Sequence, residues 1–595
     1  MTTNPSNIEA LRAELKSRSL DGFIVPLTDE HMSEYVGAYA ERLAWLTGFG
    51  GSAGNAAVLE RKAAIFIDGR YTLQVKDQVD AAIFEHHHFQ EYPLLKWVAD
   101  NVGSGARVGY DPELATVAWV ETATAALAKV HATLVAVETN PVDTVWLSRP
   151  SEPLNAVEIH DDKYAGRSAA DKRADVAKQL AQDGADAAVV SMLDSVAWAF
   201  NVRSKDVLNT PVAHAYGVLR ADESATLFVN PDKIDDTVRS ALGNKVSIEP
   251  RSAFYEHLAA LGKDGKTVLV DRATNNAKIF KTLEDAGATL IEGQDPCILP
   301  KAIKNQVEQQ GTRDAHIRDG AAITEFLHWL SVEAPKGTVD ELSAVAKLWS
   351  FRQARDLIRD NSFDTISGAG PNGAIVHYRV DETTNRKLEM DSLYLVDSGG
   401  QYLDGTTDIT RTIVVGVPTD EMRENFTRVL MGHIALSTAK FPDGTPGAAL
   451  DALARRPLWD AGLDYDHGTG HGVGSYLAVH EGPQRIAKGS SDVPLKPGMI
   501  LSNEPGYYKT GEYGIRIENL VLVRPEQDDT ERDMYGFETL THAPIDRNLV
   551  DTHLMSEADL QWLNDYHADV RAKISPLVEG EALAWLEAAT APIAS

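Results

Sequence analysis

Two stretches in the first half of the chain run through the same pattern, and that echo narrows the fold more than any other feature. In one, a helical stretch over Leu11–Lys16 leads to the apolar run Phe23-Ile-Val25 and then to Arg42-Leu-Ala-Trp45. In the other, a helix over Asp171–Gln182 leads to Ala187-Ala-Val-Val190 and then to Asp194-Ser-Val-Ala-Trp198. Helix, buried strand and a Leu/Val-Ala-Trp element recur in that order, with extra residues inserted in the first copy, which suggests two related domains. Helical and strand patterns alternate through both, as in Ala63-Ala-Ile-Phe-Ile-Asp68 before the turn-forming Gly69, so each is expected to be an α/β unit. A Pro-bearing segment, Ser148-Arg-Pro-Ser-Glu-Pro153, separates them, and a second boundary falls between Asp295 and Pro300. The expected division is 1–150, 151–300 and 301–595.

Bulk properties exclude several function classes. A chain of 595 residues exceeds one hydrophobic core, consistent with several domains. A formal net charge of −30 argues against nucleic acid and anionic membranes as partners, because both draw on clustered Lys and Arg. Cys297 is the only cysteine, so neither an internal disulfide nor a thiolate zinc cluster can form. With no basic-then-apolar leader and no run of roughly 20 apolar residues, the chain is expected to be cytoplasmic.

The last part differs in texture. A long helix is expected from about Gln306 to Val332, and further helices over Glu341–Arg359, Glu421–Lys440 and Ala448–Ala461 alternate with short Gly-punctuated strands. Polar groups with chemistry concentrate here. Leu393-Tyr-Leu-Val-Asp-Ser-Gly-Gly400 delivers Asp397 at a strand end, and a Thr-rich strand follows with Asp408. A hairpin would set these carboxylates side by side, although Asp near Gly is more often a turn or capping residue. His467-Gly-Thr-Gly-His-Gly-Val-Gly474 interleaves four glycines with two histidines, which lets backbone approach closely and aims a side chain inward. It is not a phosphate loop: the spacing departs from G-x-G-x-x-G, no Gly-Lys-Ser/Thr follows, and Tyr476-Leu-Ala-Val479 reads as a strand.

Two more carboxylates follow. Met499-Ile-Leu-Ser-Asn-Glu-Pro-Gly506 ends a strand with Glu504, and Gly514-Ile-Arg-Ile-Glu-Asn-Leu-Val521 carries Glu518 within an apolar strand. A Glu there is costly unless paired or bound to metal. The plain alternative is an ion pair with Arg516, two residues away on the same strand face. Asp397, Asp408, Glu504 and Glu518 together carry four negative charges, which two divalent cations would neutralise. An oxygen-rich set with one imidazole, His471, suits Mn²⁺, with Co²⁺ or Zn²⁺ as alternatives. Two such ions can activate a shared water.

The chain resembles the metal-dependent aminopeptidase P family, within the larger "pita-bread" group that also holds methionine aminopeptidase, prolidase and creatinase. The resemblance spans essentially the whole length. It includes Leu43-Ala-Trp-Leu-Thr-Gly-Phe-Gly-Gly-Ser-Ala-Gly54, Phe66-Ile-Asp-Gly-Arg-Tyr71 and His316-Ile-Arg-Asp-Gly320. It implies the long, three-domain cytosolic form: two creatinase-like N-terminal α/β domains and a pita-bread catalytic domain with a helical C-terminal extension. By the same resemblance Asp397, Asp408, His471, Glu504 and Glu518 are metal ligands, with Asp408 and Glu518 bridging and Glu504 also handling the proton of the attacking water. His377, His467 and His480 match positions that hold the substrate and stabilise the tetrahedral intermediate, a task for preorganised donors. The implied activity is hydrolysis between any N-terminal residue and a penultimate proline, by attack of a metal-bridging hydroxide on the first residue's carbonyl. The implied partners are peptide substrates and a second copy of the chain; the helical region Ser556 to Leu586 is a candidate for the homodimer contact.

Rival readings separate cleanly. Gly50-Gly-Ser-Ala-Gly54 fits the serine-hydrolase string, but that elbow needs a helix after it and Asn55-Ala-Ala-Val-Leu59 reads as a strand. His86-His-His88 places neighbours on opposite strand faces, which suits a packed or solvated cluster better than a metal site. No H-E-x-x-H occurs. A prolidase acting on Xaa-Pro dipeptides and a non-catalytic pita-bread binding protein are the remaining alternatives; the duplicated front half speaks against the first and the complete ligand set against the second.

Overall fold

The computed structural model describes residues 3–489, 492–526 and 531–594. Two compact units emerge. One holds residues up to Asp161 together with Arg167–Ile298; the other holds Asp162–Gly166 and the chain from Leu299 onward.

The first unit contains two six-stranded sheets with one topology. The first runs, edge to edge, Glu85–His88, Ala63–Ile67, Gly54–Leu59, Gly22–Pro26, Arg107–Tyr110 and Thr133–Ala136. The second runs Val246–Glu249, Ala225–Phe228, Tyr216–Arg220, Ala187–Val190, Thr267–Val270 and Thr289–Glu292. Numbered by chain order within each copy, both read 4-3-2-1-5-6, with strands 1–2 and 2–3 antiparallel and the other pairs parallel. The sequence echo therefore reports a duplicated architecture. Its Ala-Trp elements lie on the short helices Arg42–Thr47 and Leu193–Phe200, each of which follows the first strand of its copy. Central strands such as Ala63–Ile67 and Ala187–Val190 are buried at every position, as strands covered on both faces must be. A strand, Gly54–Leu59, and not a helix follows Ser52 after one residue, so the serine-elbow geometry is absent there. His86, His87 and His88 lie on the sheet-edge strand, and His87 pairs with Glu85 at 3.0 Å.

The second unit contains the long helix Gln306–Glu333, whose N-terminus is closed by a reciprocal capping box between Asn305 and Glu308. Its sheets are antiparallel. One takes Ile366–Ala369, Ser392–Ser398 and Ile409–Val415. A larger one runs Phe441–Pro442, Met534–Thr539, Asn519–Pro525, Ile500–Asn503, Gly470–Gly472 and Glu481–Ile486. Phe426, Leu430, Tyr513, Ile515, Leu549, Val570 and their neighbours fill the core between sheet and helices. The C-terminal region is helical over Glu557–Ile574 and Gly580–Ala589. No helix among the described residues is long and apolar enough to cross a membrane.

Several sequence expectations need correction. The helix from Glu341 ends at Gln353; Leu357 adopts a left-handed backbone (φ 66°) and the chain enters the strand Ile358–Asn361, so Ile358 and Arg359 are not helical. Residues 476–479 form bends rather than a strand, with Tyr476 at φ 49°. The apolar run 514–521 is not continuous either. It breaks at Ile517-Glu518, between the strands Tyr513–Arg516 and Asn519–Pro525, which join different sheets.

Candidate metal centre

That break places Glu518. Strands Ile500–Asn503 and Asn519–Pro525 pair with Asn503 opposite Asn519, so Glu504 and Glu518, one residue beyond the pairing on each side, leave the sheet together. The Glu518 N–H donates to Thr410 O and the Glu504 N–H to Thr469 O, tying both to their neighbouring strands. On the other sheet Asp397 lies opposite Thr410, and Asp408 sits one residue before the strand Ile409–Val415. The hairpin expected between the two aspartates is present, with residues 400–406 between them pairing in a separate small sheet with Ile358–Asn361.

The Gly/His-rich segment supplies the imidazole, and its glycines have specific reasons. A Cβ on Gly470 would stand 2.0 Å from Ser502 O, and one on Gly472 would stand 2.3 Å from Glu481 O. Strand Gly470–Gly472 can therefore enter the sheet only with His471 flanked by glycine. The His471 N–H donates to Ser502 Oγ at 2.9 Å, and Ser502 Oγ donates to Glu504 Oε1 at 3.2 Å. His471 Nδ1 lies 3.0 Å from Gly472 O. A carbonyl only accepts, so Nδ1 carries a proton, and in the neutral ring Nε2 is the nitrogen that offers its lone pair to a cation. Nε2 lies 3.5 Å from both Asp408 Oδ2 and Glu504 Oε1. Upstream, Arg455 of the helix Asp451–Trp459 donates to Tyr465 O and His467 O, while Thr469 Oγ1 donates to Asp451, which fixes the approach to the strand.

Donor atoms of Asp408, His471 and Glu518 all lie within 4.8 Å of one another. Asp397 Oδ1 and Asp408 Oδ1 are buried and have no hydrogen-bond partner among the described residues. Burial, then repulsion from Asp397 and Glu504, pushes the Asp408 carboxyl well above its usual range; burial, then Asp408, does the same to Glu518. Glu504 is raised chiefly by burial. Bringing such groups together costs several kcal/mol per charge, more than burying one or two apolar side chains returns at ~1.5–3 kcal/mol each. Orphaned oxygens aimed at a shared volume, with one imidazole lone pair beside them, fit divalent cations.

One cation is already built in. Arg516, almost fully buried, donates to Asp397 Oδ2 at 2.6 Å, to Tyr508 Oη at 2.6 Å and to Thr410 Oγ1 at 3.2 Å. Thr410 Oγ1 in turn donates to Glu518 Oε2 at 2.8 Å. The ion pair considered between Arg516 and Glu518 is thus made with Asp397, because the chain break turns the two side chains apart. It also shifts the charge arithmetic: one of the four negative charges is balanced by protein.

The three further histidines are placed as follows. The His480 ring packs edge-on against His471, centroids 4.3 Å apart. His467 Nδ1 donates to Gly468 O at 2.7 Å, and its Nε2 accepts from Tyr508 Oη at 2.8 Å, so His467 joins Asp397 through Tyr508 and Arg516. His377 lies in the irregular segment after the 3₁₀ turn Gly370–Ala374, and the preceding carbonyl, Val376 O, accepts from Arg516 at 3.4 Å. Tyr508, Thr410 and the full reach of Arg516 escaped sequence reasoning. The one available signal was an arginine two residues before Glu518 in an apolar run.

Fold and donor set together are those of a metallopeptidase, and comparison with known proteins agrees. The model of metallopeptidase family M24 matches residues 310–525, that of the C-terminal region of peptidase M24 matches 533–593, and two creatinase/prolidase N-terminal domain models match 7–144 and 148–308. A probable Xaa-Pro aminopeptidase P of Laccaria bicolor is 43% identical, covering 98% of this chain and 92% of that one. Aminopeptidase P2 of Arabidopsis thaliana is 41% identical over 97% and 86%. The crystal structure of X-prolyl aminopeptidase from Caenorhabditis elegans, described as a cytosolic enzyme with a di-nuclear active site, superposes with a TM-score of 0.94 at 33% identity and 99% coverage of each chain. The chain belongs to metallopeptidase family M24, in the group of the Xaa-Pro aminopeptidases P.

Proposed function

We propose that this enzyme removes the N-terminal residue from peptides whose second residue is proline, using two divalent ions held by Asp397, Asp408, His471, Glu504 and Glu518. The observation that carries the metal assignment is the convergence of Asp408, His471 and Glu518, with aspartate oxygens left unpartnered beside them. The substrate class is supported by full-length similarity to proteins named for it. Bound there, the ions supply Lewis-acid activation of water and of the scissile carbonyl.

The protein's own groups do the rest. Glu504, raised in pKa and placed at the edge of the cluster, takes the proton of the attacking water and passes it toward the prolyl nitrogen as that bond breaks. His480, packed on His471, and His377 donate to the substrate and to the developing oxyanion. His467 belongs to the same set through Tyr508 and Arg516, which hold Asp397 in place. The free α-amino group sits beside the carboxylates, which limits cleavage to one residue.

Mn²⁺ is the proposed resident metal, and a cytoplasmic homodimer the proposed working state. The division into domains 1–150, 151–300 and 301–595 is kept as a reading, supported by the two separate sheets before residue 300. The test is hydrolysis by metal-stripped protein with and without added Mn²⁺, using Xaa-Pro-Yaa, Xaa-Pro and Xaa-Ala-Yaa peptides side by side. Restored cleavage of the Xaa-Pro-Yaa tripeptide alone is expected. Cleavage of the dipeptide alone makes the enzyme a prolidase, and metal binding without any cleavage points to a binding protein.

A further inference from the structure

Glu341 is completely buried although it stands in the first turn of the helix Glu341–Gln353, a position where Glu is ordinarily solvated. Its carboxylate is saturated by main-chain and side-chain donors from three points along one segment. Oε1 accepts from Ala369 N–H at 2.7 Å and Asn372 Nδ2 at 2.9 Å; Oε2 accepts from Tyr378 Oη at 3.0 Å and Arg386 N–H at 2.9 Å. The Glu341 main chain joins in: its N–H donates to Arg386 O, and its carbonyl accepts from Ser367 Oγ. Thr384 O receives Asn372 Nδ2 at 3.1 Å and lies 3.0 Å from Tyr378 Oη, which closes the ring.

Residues 370–386 carry no strand and no helix beyond one 3₁₀ turn, so their backbone groups need partners from elsewhere. One carboxylate fixes the entry (Ala369, Asn372), the middle (Tyr378) and the exit (Arg386) of this segment. The opposite side of the segment rests on the metal-site strand. A Cβ on Gly514 would stand 1.7 Å from Gly373 O, and Arg516 reaches Val376 O. His377 therefore lies on a short arch with one foot on Glu341 and the other on the Arg516–Asp397 pair.

We propose that Glu341 is a positioning residue for the reaction: by stapling the base of the 370–386 segment it holds His377 in place for the substrate. The proposal rests on the reading of His377 as a substrate-contacting group. Fixing a donor before substrate arrives removes an ordering cost from the reaction step, so releasing the staple lowers turnover without touching the metal ligands. In Glu341→Gln one carboxylate oxygen becomes an amide nitrogen that cannot accept, so in either amide orientation one backbone donor, Ala369 N–H or Arg386 N–H, faces a donor instead.

The experiment is a double-mutant cycle on the full-length Mn²⁺-loaded enzyme with an Xaa-Pro-Yaa tripeptide, comparing Glu341→Gln, His377→Ala and the pair. Metal content and thermal unfolding are measured on each. Expected are wild-type metal content, a kcat/KM loss of about tenfold or more for Glu341→Gln, and a double variant no slower than His377→Ala alone, since groups acting as a unit are not additive. Tyr378→Phe, which removes a single donor, should lose less in the same direction and stands in if Glu341→Gln does not fold. Equal fold-losses from Glu341→Gln with and without His377 overturn the proposal, as does full activity of Glu341→Gln. Full activity of His377→Ala overturns it differently, by removing the reading of His377 on which it stands.

Discussion

Arg516 forms its ion pair with Asp397 at 2.6 Å, while Glu518, two positions along the chain, takes its hydrogen bond from Thr410. The same guanidinium holds Tyr508, and through it His467. Lysine cannot reproduce this fork, because its ammonium is a point donor. Arg516→Lys should cost about 10–100-fold in metal affinity or activity, the usual range for a group that orients a ligand. Steady-state kinetics with a Mn²⁺ titration checks it; unchanged values for both would show that the fork is dispensable.

Asp408→Asn and Glu518→Gln should abolish metal retention and activity together, since both residues belong to the converging donor group with His471. Without metal the effect on stability should reverse. Burial and mutual repulsion raise both carboxyls, so in stripped protein either substitution removes an unfavourable charge. Chelated Asp408→Asn is expected to melt above chelated wild type. Metal analysis and thermal unfolding with and without chelator provide the readout, and full activity in either variant would sink the two-ion assignment.

Glu481 is buried behind the His471 strand, its main chain opposite Gly472, and its carboxylate meets both Lys301 at 3.0 Å and Lys304. Removing one member of a buried ion pair leaves an uncompensated charge, at a cost of about 3–5 kcal/mol. Glu481→Gln should lose about that much stability in urea unfolding. A loss below about 1 kcal/mol, the range of exposed pairs, would mean that water reaches the lysines once the carboxylate is gone.

His433 donates from Nδ1 to Asn503 O at 3.1 Å and accepts at Nε2 from Asn519 Nδ2 at 3.1 Å, so it is folded as the neutral ring between the residues that flank Glu504 and Glu518. Burial, with Arg411 nearby, lowers its pKa from 6.5 to about 3. Between those values the unfolded chain binds a proton that the folded chain does not. Stability therefore rises with pH across that window and is lost as pH falls below about 6.5, by at most ~1.4 kcal/mol per pH unit for this one group. His433→Gln should flatten the acid limb of the stability curve by up to that slope in denaturant unfolding at stepped pH. An unaltered limb would mean that the ring already titrates normally in the fold.

The residues of the candidate centre stood out in the sequence because glycines and strand ends mark them: Gly470 and Gly472 are forced by backbone contact, and Asp397 lies near the end of an apolar strand. The repeated helix-strand-Ala-Trp order likewise reported a duplicated domain, since local burial patterns are written residue by residue. What the sequence could not state was which charge meets which. Glu518 and Arg516 looked like partners two residues apart on one strand until the break at Ile517-Glu518 sent them to different neighbours. Glu341 gave no signal at all, because its partners lie 26 to 45 positions away and converge only through folding. Periodicity and turn chemistry act over a few residues, so they marked most of the elements and the candidate donor residues. Pairing of buried charges depends on distances across the fold, so the tertiary structure alone decided how the centre is held.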